Sequence, residues 1–279
     1  MIATRHRNVN RVTLAFTLVL AATSALAHEY YLLPQDFTPP ARTEAKVEHR
    51  LGQAFKGGTM PYIDRWIVRA EAWRNGDGTR ITGTNGDLPA FTIATGEPGA
   101  LAAIYESNID YLDFTDPAKF DAYLDKEGLT AIRAEHAARG LPEPSKATPI
   151  KEAYARFAKT LMQVGDDGTA IDTATGLTAE LVAQANPLSL AAGDPLPVRF
   201  LWKGEPLAGI TVKVFPRQGE EFTHKLVTDA QGRVSVPDLG PGPYLLNAIR
   251  MGVPESAEAR ERGAHWQSWW ASLTFSRAG

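Results

Sequence analysis

The feature that most constrains this chain is a rhythm of short strand-like runs broken by turn residues. From His28 to about Tyr105 the runs are HEYYLL, TEAKVEHRL (43–51), RWIVRAEAW (65–73), PAFTI (89–93) and GALAAIYES (99–107). Each is rich in β-branched or aromatic residues, and clusters such as NGDG and TNGDLP separate them, as in an antiparallel β domain. In WIVRAEAW, alternation puts Trp66, Val68, Ala70 and Ala72 on one face and Ile67, Arg69, Glu71 and Trp73 on the other. The rhythm returns from about Leu177 with LTAELVA, LPVRFLWKG, GITVKVFP, EFTHKLVT, GRVSVPD, PYLLNAIRM and HWQSWWASLTF. With the turn signals KGEPLAG, DAQG and GPGP, these runs predict an immunoglobulin-like or transthyretin-like β-sandwich. Thr228-Asp229-Ala230-Gln231-Gly232-Arg233 reads as a hairpin, with Gly232 free to take positive φ.

Between these β regions the pattern turns helical. In DPAKFDAYLDKEGL, Asp116 can cap, Pro117 suits the first helical position, Phe120 and Leu124 share a face, and Gly128 can close the end. LTAIRAEHAARG predicts a second short helix ending at Gly140. After LPEPSK, Thr148-Pro149 is read as opening a third, with Ile150, Tyr154, Phe157, Leu161 and Val164 on one stripe that packs on a sheet. The expected fold is mainly β. A signal segment (1–27) precedes an N-terminal antiparallel β domain (28–176) with a helical insertion at about 116–164, followed by a C-terminal β-sandwich (177–279).

The start of the chain reads as a secretory signal: Arg5, Arg7 and Arg11, the apolar run from Val12 to Ala22, then Ala25-Leu26-Ala27. That run is too short to span a bilayer, so cleavage after Ala27 predicts an exported, periplasmic chain with no stable membrane insertion. Loss of three arginines moves the formal charge from -3 to -6, which disfavours nucleic acid and anionic membranes. The chain has no cysteine, which excludes disulfides, thiolate metal centres, thiol catalysis and a cysteine-linked lipid anchor. No Gly-x-Ser-x-Gly elbow or phosphate-binding Gly-x-x-x-x-Gly-Lys loop is present. His28-Glu29 does not begin a zinc-protease motif, because Leu32 stands where the second histidine belongs.

Several pieces, in order, resemble one family of exported bacterial proteins, the domain of unknown function 4198 or NikM-like proteins. They are AHEYYLLP, HRLGQAFKG, TGTNGDLPA, KFDAYLDKEGL, YARFAKTLMQVG, GLTAELV, NPLSLAAGDPLPVRFLWKGEPLAG, TDAQGRVSV and HWQSWWASLTF. The resemblance implies a periplasmic, non-enzymatic protein with an N-terminal β domain, a helical insertion and a C-terminal sandwich. For part of the family it implies association with nickel or cobalt uptake. Members tied to nickel carry a glycine–histidine pair after the second strand, where this chain has Gly52-Gln53.

The sharpest chemical candidate is His28. Cleavage after Ala27 frees its α-amine, which with the imidazole Nδ1 chelates one divalent transition metal, Cu, Ni or Co; a third histidine nitrogen would complete a T-shaped site suited to Cu(II). His49 is the first candidate for that nitrogen, and His265 and His224 follow. Alternatively these histidines are ordinary strand or surface residues. Gly165-Asp166-Asp167-Gly168 with Asp172 lacks the ligand pattern of a calcium loop and reads as a solvated turn. Trp266, Trp269 and Trp270 on the last strand divide between core and interface, with 266 and 270 on one face. The leading expectation is a non-catalytic binding or accessory protein for metal handling, partnered by a transporter or outer-membrane receptor component. The alternatives are a structural or adhesive module presenting those tryptophans to a protein or glycan, and a copper enzyme centred on His28.

Overall fold

The computed structural model describes residues 29–52, 54–165, 171–217 and 224–278. In chain order the first half holds β1 (Tyr30–Pro34), β2 (Glu44–Leu51), β3 (Gly58–Met60), β4 (Ile67–Arg74), β5 (Asp77–Arg80), β6 (Phe91–Ala94), β7 (Gly99–Ser107) and β8 (Asp110–Phe114). Helices α1 (Pro117–Glu127) and α2 (Ala131–Ala138) follow, then β9 (Ile150–Val164). The second half holds β10 (Ala179–Ala183), β11 (Leu196–Trp202), β12 (Glu205–Pro206), β13 (Thr211–Pro216), β14 (His224–Val227), β15 (Arg233–Val236), β16 (Gly242–Gly252), α3 (Ala257–Glu261) and β17 (Trp266–Arg277). Among the described residues no helix is long and apolar enough to cross a membrane.

Three layers result. A nine-stranded central sheet runs β14-β13-β16-β17-β9-β7-β4-β5, with β8 also on β9. One face packs on the small sheet of β10, β11, β12 and β15, through Phe157, Val214, Leu246, Leu273 and Phe275 against Leu181, Val198 and Phe200. The other face carries the sheet of β1, β2, β3 and β6 at one end, through Leu32, Val47 and Phe91. At the other end it carries α1, α2 and β8, through Phe114, Phe120 and Leu124 against Ile249, Trp266 and Trp270. The division at residue 177 therefore has no counterpart in the strand pairing: β17 pairs with β9 in parallel, joining both halves in one sheet.

Local chemistry explains α1 well. The Asp116 carboxylate accepts from the Ala118 N–H, Pro117 opens the helix, and Gly128 ends it in the left-handed region at φ 73°. The β4–β5 hairpin turns at Asn75 and Gly76, both with positive φ, as a two-residue type I′ turn requires.

Three expectations fail, each because tertiary packing overrides local signal. Residues 150–164 form a strand, not a third helix. Its Ala, Lys, Glu, Leu and Met content favours a helix, but β9 pairs with β17, β7 and β8 and is covered on both faces. A strand buried twice loses simple alternation, so its apolar residues imitate a helical stripe. In β4 a bulge between Ile67 and Arg69 breaks the expected alternation. Ile67 joins Ala70 and Ala72 against the β1–β2 sheet, while Val68 is exposed. The 228–233 turn forms, with Asp229 accepting from the N–H groups of Gln231 and Arg233. Its flanking strands nevertheless diverge: β14 pairs with β13, and β15 crosses to β11.

Candidate functional site

A cavity of about 440 Å³ opens where the β1–β2 sheet and the helical layer leave the central sheet uncovered between them. Alternation along β9 turns Glu152, Tyr154 and Arg156 into it. Strand β1 adds Tyr30, β2 adds His49 and Leu51, and β7 adds Tyr105. Asp110 and Leu112 of β8 and Trp270 of β17 close the far side, and Trp66, 40% exposed, stands at the rim. The size and the mix of aromatic walls with a few polar groups are those of a small-molecule site.

At one end lies an aromatic cluster around His49. The Tyr30 and Tyr105 rings are 4.8 Å apart, and the imidazole sits edge-on to Phe91 at 4.3 Å. His49 Nδ1 is 2.7 Å from the Tyr30 hydroxyl, while Nε2 has no partner among the described residues. The side chain is 3% exposed, and burial pushes its pKa down to about 3, so the ring is neutral near pH 7. Arg156 spreads its guanidinium over the Tyr30 and Tyr154 rings, at 5.6 and 4.8 Å. No carboxylate among the described residues forms an ion pair with it.

At the other end Glu152, 1% exposed, accepts hydrogen bonds from Tyr123 and Ser268 at Oε1, and Ser268 in turn accepts from Trp270 Nε1. Its Oε2 has no partner among the described residues. Burial pushes this carboxyl up to about 7, with the Ser268 and Tyr123 hydrogen bonds opposing and the Glu127 charge adding to the rise. Between the two ends Tyr154 donates to Asp110 over 2.9 Å.

Of the histidines proposed from sequence, His49, His265 and His224 lie in different parts of the fold. His28 and Gln53 lie outside the described residues, as do Asp166, Asp167 and Gly168 of the acidic turn. His49 is in the cavity; His265 is half-buried, its Nδ1 accepting from the Lys151 N–H, and His224 begins the edge strand β14. No group of three His, Asp or Glu among the described residues is placed to hold a metal, so these side chains do not fit a closed metal centre by themselves. Asp172 is no solvated-turn residue: it is buried on Lys159 at 2.9 Å, beside Glu180 at 2.8 Å from the same ammonium.

The tryptophans are core. Trp266, Trp269 and Trp270 are 0, 5 and 7% exposed, so the expected division between core and interface is a division between two buried clusters. Trp269 faces the sandwich core, edge-on to Trp202, and Trp266 packs over His136 of α2. Both faces of β17 are covered, so its alternation sorts these rings between two cores. The residues that sequence reasoning missed are Glu152, Arg156 and Tyr154. A carboxylate and a guanidinium spaced by two about one tyrosine would have marked a polar strand face, but the helical reading dispersed them.

Fold and site together define a mainly β, multi-sheet module with a lined internal cavity. The chain belongs to the domain of unknown function family DUF4198, whose model matches residues 25–252. No curated protein matches it. Among solved structures it is similar to the D0-D1 domain of Intimin, at 9% identity over 88% of this chain and 96% of that one. The TM-score is 0.22.

Proposed function

We propose that this chain is an exported, non-catalytic binding module that holds a small organic molecule in the cavity over β9. The observation that carries this reading is that two residues of the cavity lining, His49 and Glu152, each hold a buried polar atom with no partner among the described residues, Nε2 and Oε2. A buried polar atom left without a partner costs about 1–3 kcal/mol, which a bound ligand would offset. The test is saturable binding of a polarity-sensitive dye, anilinonaphthalene sulfonate, to the purified protein. Met60→Trp and Ile63→Trp, which fill the cavity from its rim, should abolish it while the melting temperature holds. Dye binding unchanged in both folded variants would refute the cavity as the site.

Transition-metal capture is a second reading, favoured by the free Nε2 of the neutral His49 ring. It predicts uptake of about one Cu(II) or Ni(II) by the processed chain beginning at His28. An extra residue before His28, or His49→Ala, should weaken that uptake strongly. Equal, weak uptake in all forms would refute it. In this reading the partner is a transporter or outer-membrane receptor component that receives the metal.

A further inference from the structure

The cavity is electrostatically two-ended. Arg156 and Glu152 stand on the same face of β9, four residues and therefore about 13 Å apart at their Cα atoms, with Tyr154 between. Neither group forms an ion pair among the described residues. Arg156 lies on two tyrosine faces without a carboxylate, and Glu152 Oε2 lacks any donor among the described residues. Asp110, the other acid on the wall, has both oxygens partnered: Oδ2 accepts from the Tyr154 hydroxyl and Oδ1 from the Tyr111 N–H. Glu127 lies behind Glu152 rather than on the cavity wall, and its own partner is Lys213. Between the ends lies the mutually bonded Tyr154–Asp110 pair, and Leu51, Ile63, Ile67 and Leu112 give the cavity its apolar wall.

Resting on the cavity reading, we propose that the ligand is an elongated amino-carboxylate: a carboxylate at one end, an ammonium at the other, and an apolar chain between. The carboxylate meets the Arg156 guanidinium, with the His49 Nε2–H able to donate a second hydrogen bond in one tautomer. The ammonium donates to Glu152 Oε2 and lies against the indole of Trp270, where ring and carboxylate both favour a cation. A ligand with one charge leaves the opposite end of the cavity unanswered. A ligand with two short-spaced charges, such as an ordinary α-amino acid, cannot span it.

The experiment is calorimetric titration of the full processed protein with three molecules of equal chain length: ω-aminooctanoate, octanoate and octylamine. Wild type should bind ω-aminooctanoate at least about tenfold tighter than either singly charged molecule, the usual worth of one charge-assisted hydrogen bond. Glu152→Gln should erase the advantage over octanoate and leave that over octylamine. Arg156→Gln should do the reverse, and Arg156→Lys should retain most of the preference, which separates lost charge from lost fold. Equal binding of all three molecules, or preferences unmoved by these variants, overturns the amino-carboxylate assignment. If none of the three binds while the dye still does, the ligand class is wrong and the cavity reading stands; if the rim variants also leave dye binding intact, the cavity reading itself falls.

Discussion

Glu152→Gln should change how stability depends on pH, and by an amount the structure sets. The carboxyl rises from an ordinary value of 4.5 to about 7 on folding, chiefly because it is taken out of water. Between those values the native state holds a proton that the unfolded chain has released, so native stability falls as pH rises. The contribution is complete below about pH 4.5 and is lost as pH passes through about 7. At about 1.4 kcal/mol per pKa unit, the swing is about 3 kcal/mol. Glutamine keeps an acceptor for Tyr123 and Ser268 but cannot ionise, so the variant lacks this component. Urea unfolding of both proteins from pH 4 to 8.5 measures it as a difference, which cancels every other titrating group. The variant should gain about 3 kcal/mol on wild type across that range, equivalent to about 6–12 °C in melting temperature for a domain of this size. A difference flat to within about 0.5 kcal/mol would show that Glu152 is solvated or paired at neutral pH, and would remove the buried acid from the proposed site.

Other outcomes follow from the buried ion clusters and the helix ends. Lys159→Met leaves Asp172 and Glu180 buried without their cation and should cost about 3–5 kcal/mol in chemical unfolding, with much of the loss restored by adding Asp172→Asn and Glu180→Gln. A loss below about 1 kcal/mol would mean the cluster is hydrated. Gly128→Ala should destabilise by at least about 1 kcal/mol, since φ is 73° and an added Cβ would lie 2.3 Å from Thr211 Oγ1. A neutral result in thermal melts would contradict that contact. Asp116→Ala removes the α1 cap and should cost about 1 kcal/mol, read as faster amide exchange in residues 118–124.

Legibility in the sequence tracked how local each determinant is. The first helix was readable because its cap, its proline and its terminating glycine all act within a dozen residues. Strands β2 and β7 were readable because each signal lies within one short segment: β2 alternates, burying Ala45, Val47 and His49, and β7 is a short apolar run buried from Leu101 to Tyr105. The candidate site is readable only in pieces: His49 stands out for its nitrogen, whereas Glu152 and Arg156 lie in a segment whose local composition favours a helix but which forms a strand. The tryptophans of β17 alternate as expected, yet burial of both faces was invisible without knowing what covers them.

By itself the sequence determined a mainly β chain, the place and ends of α1, and the turns at 75–76 and 228–233, because these depend on φ preferences and hydrogen bonds between near neighbours. The tertiary structure alone decided that residues 150–164 are a strand and that β17 pairs with β9 across the chain. It also sent β14 and β15 to different sheets. Those choices depend on which partner offers unpaired backbone groups and apolar surface far away in the chain, and no local propensity encodes that. The cavity is a product of the same long-range pairing: only when β9 is extended do Glu152, Tyr154 and Arg156 share one face.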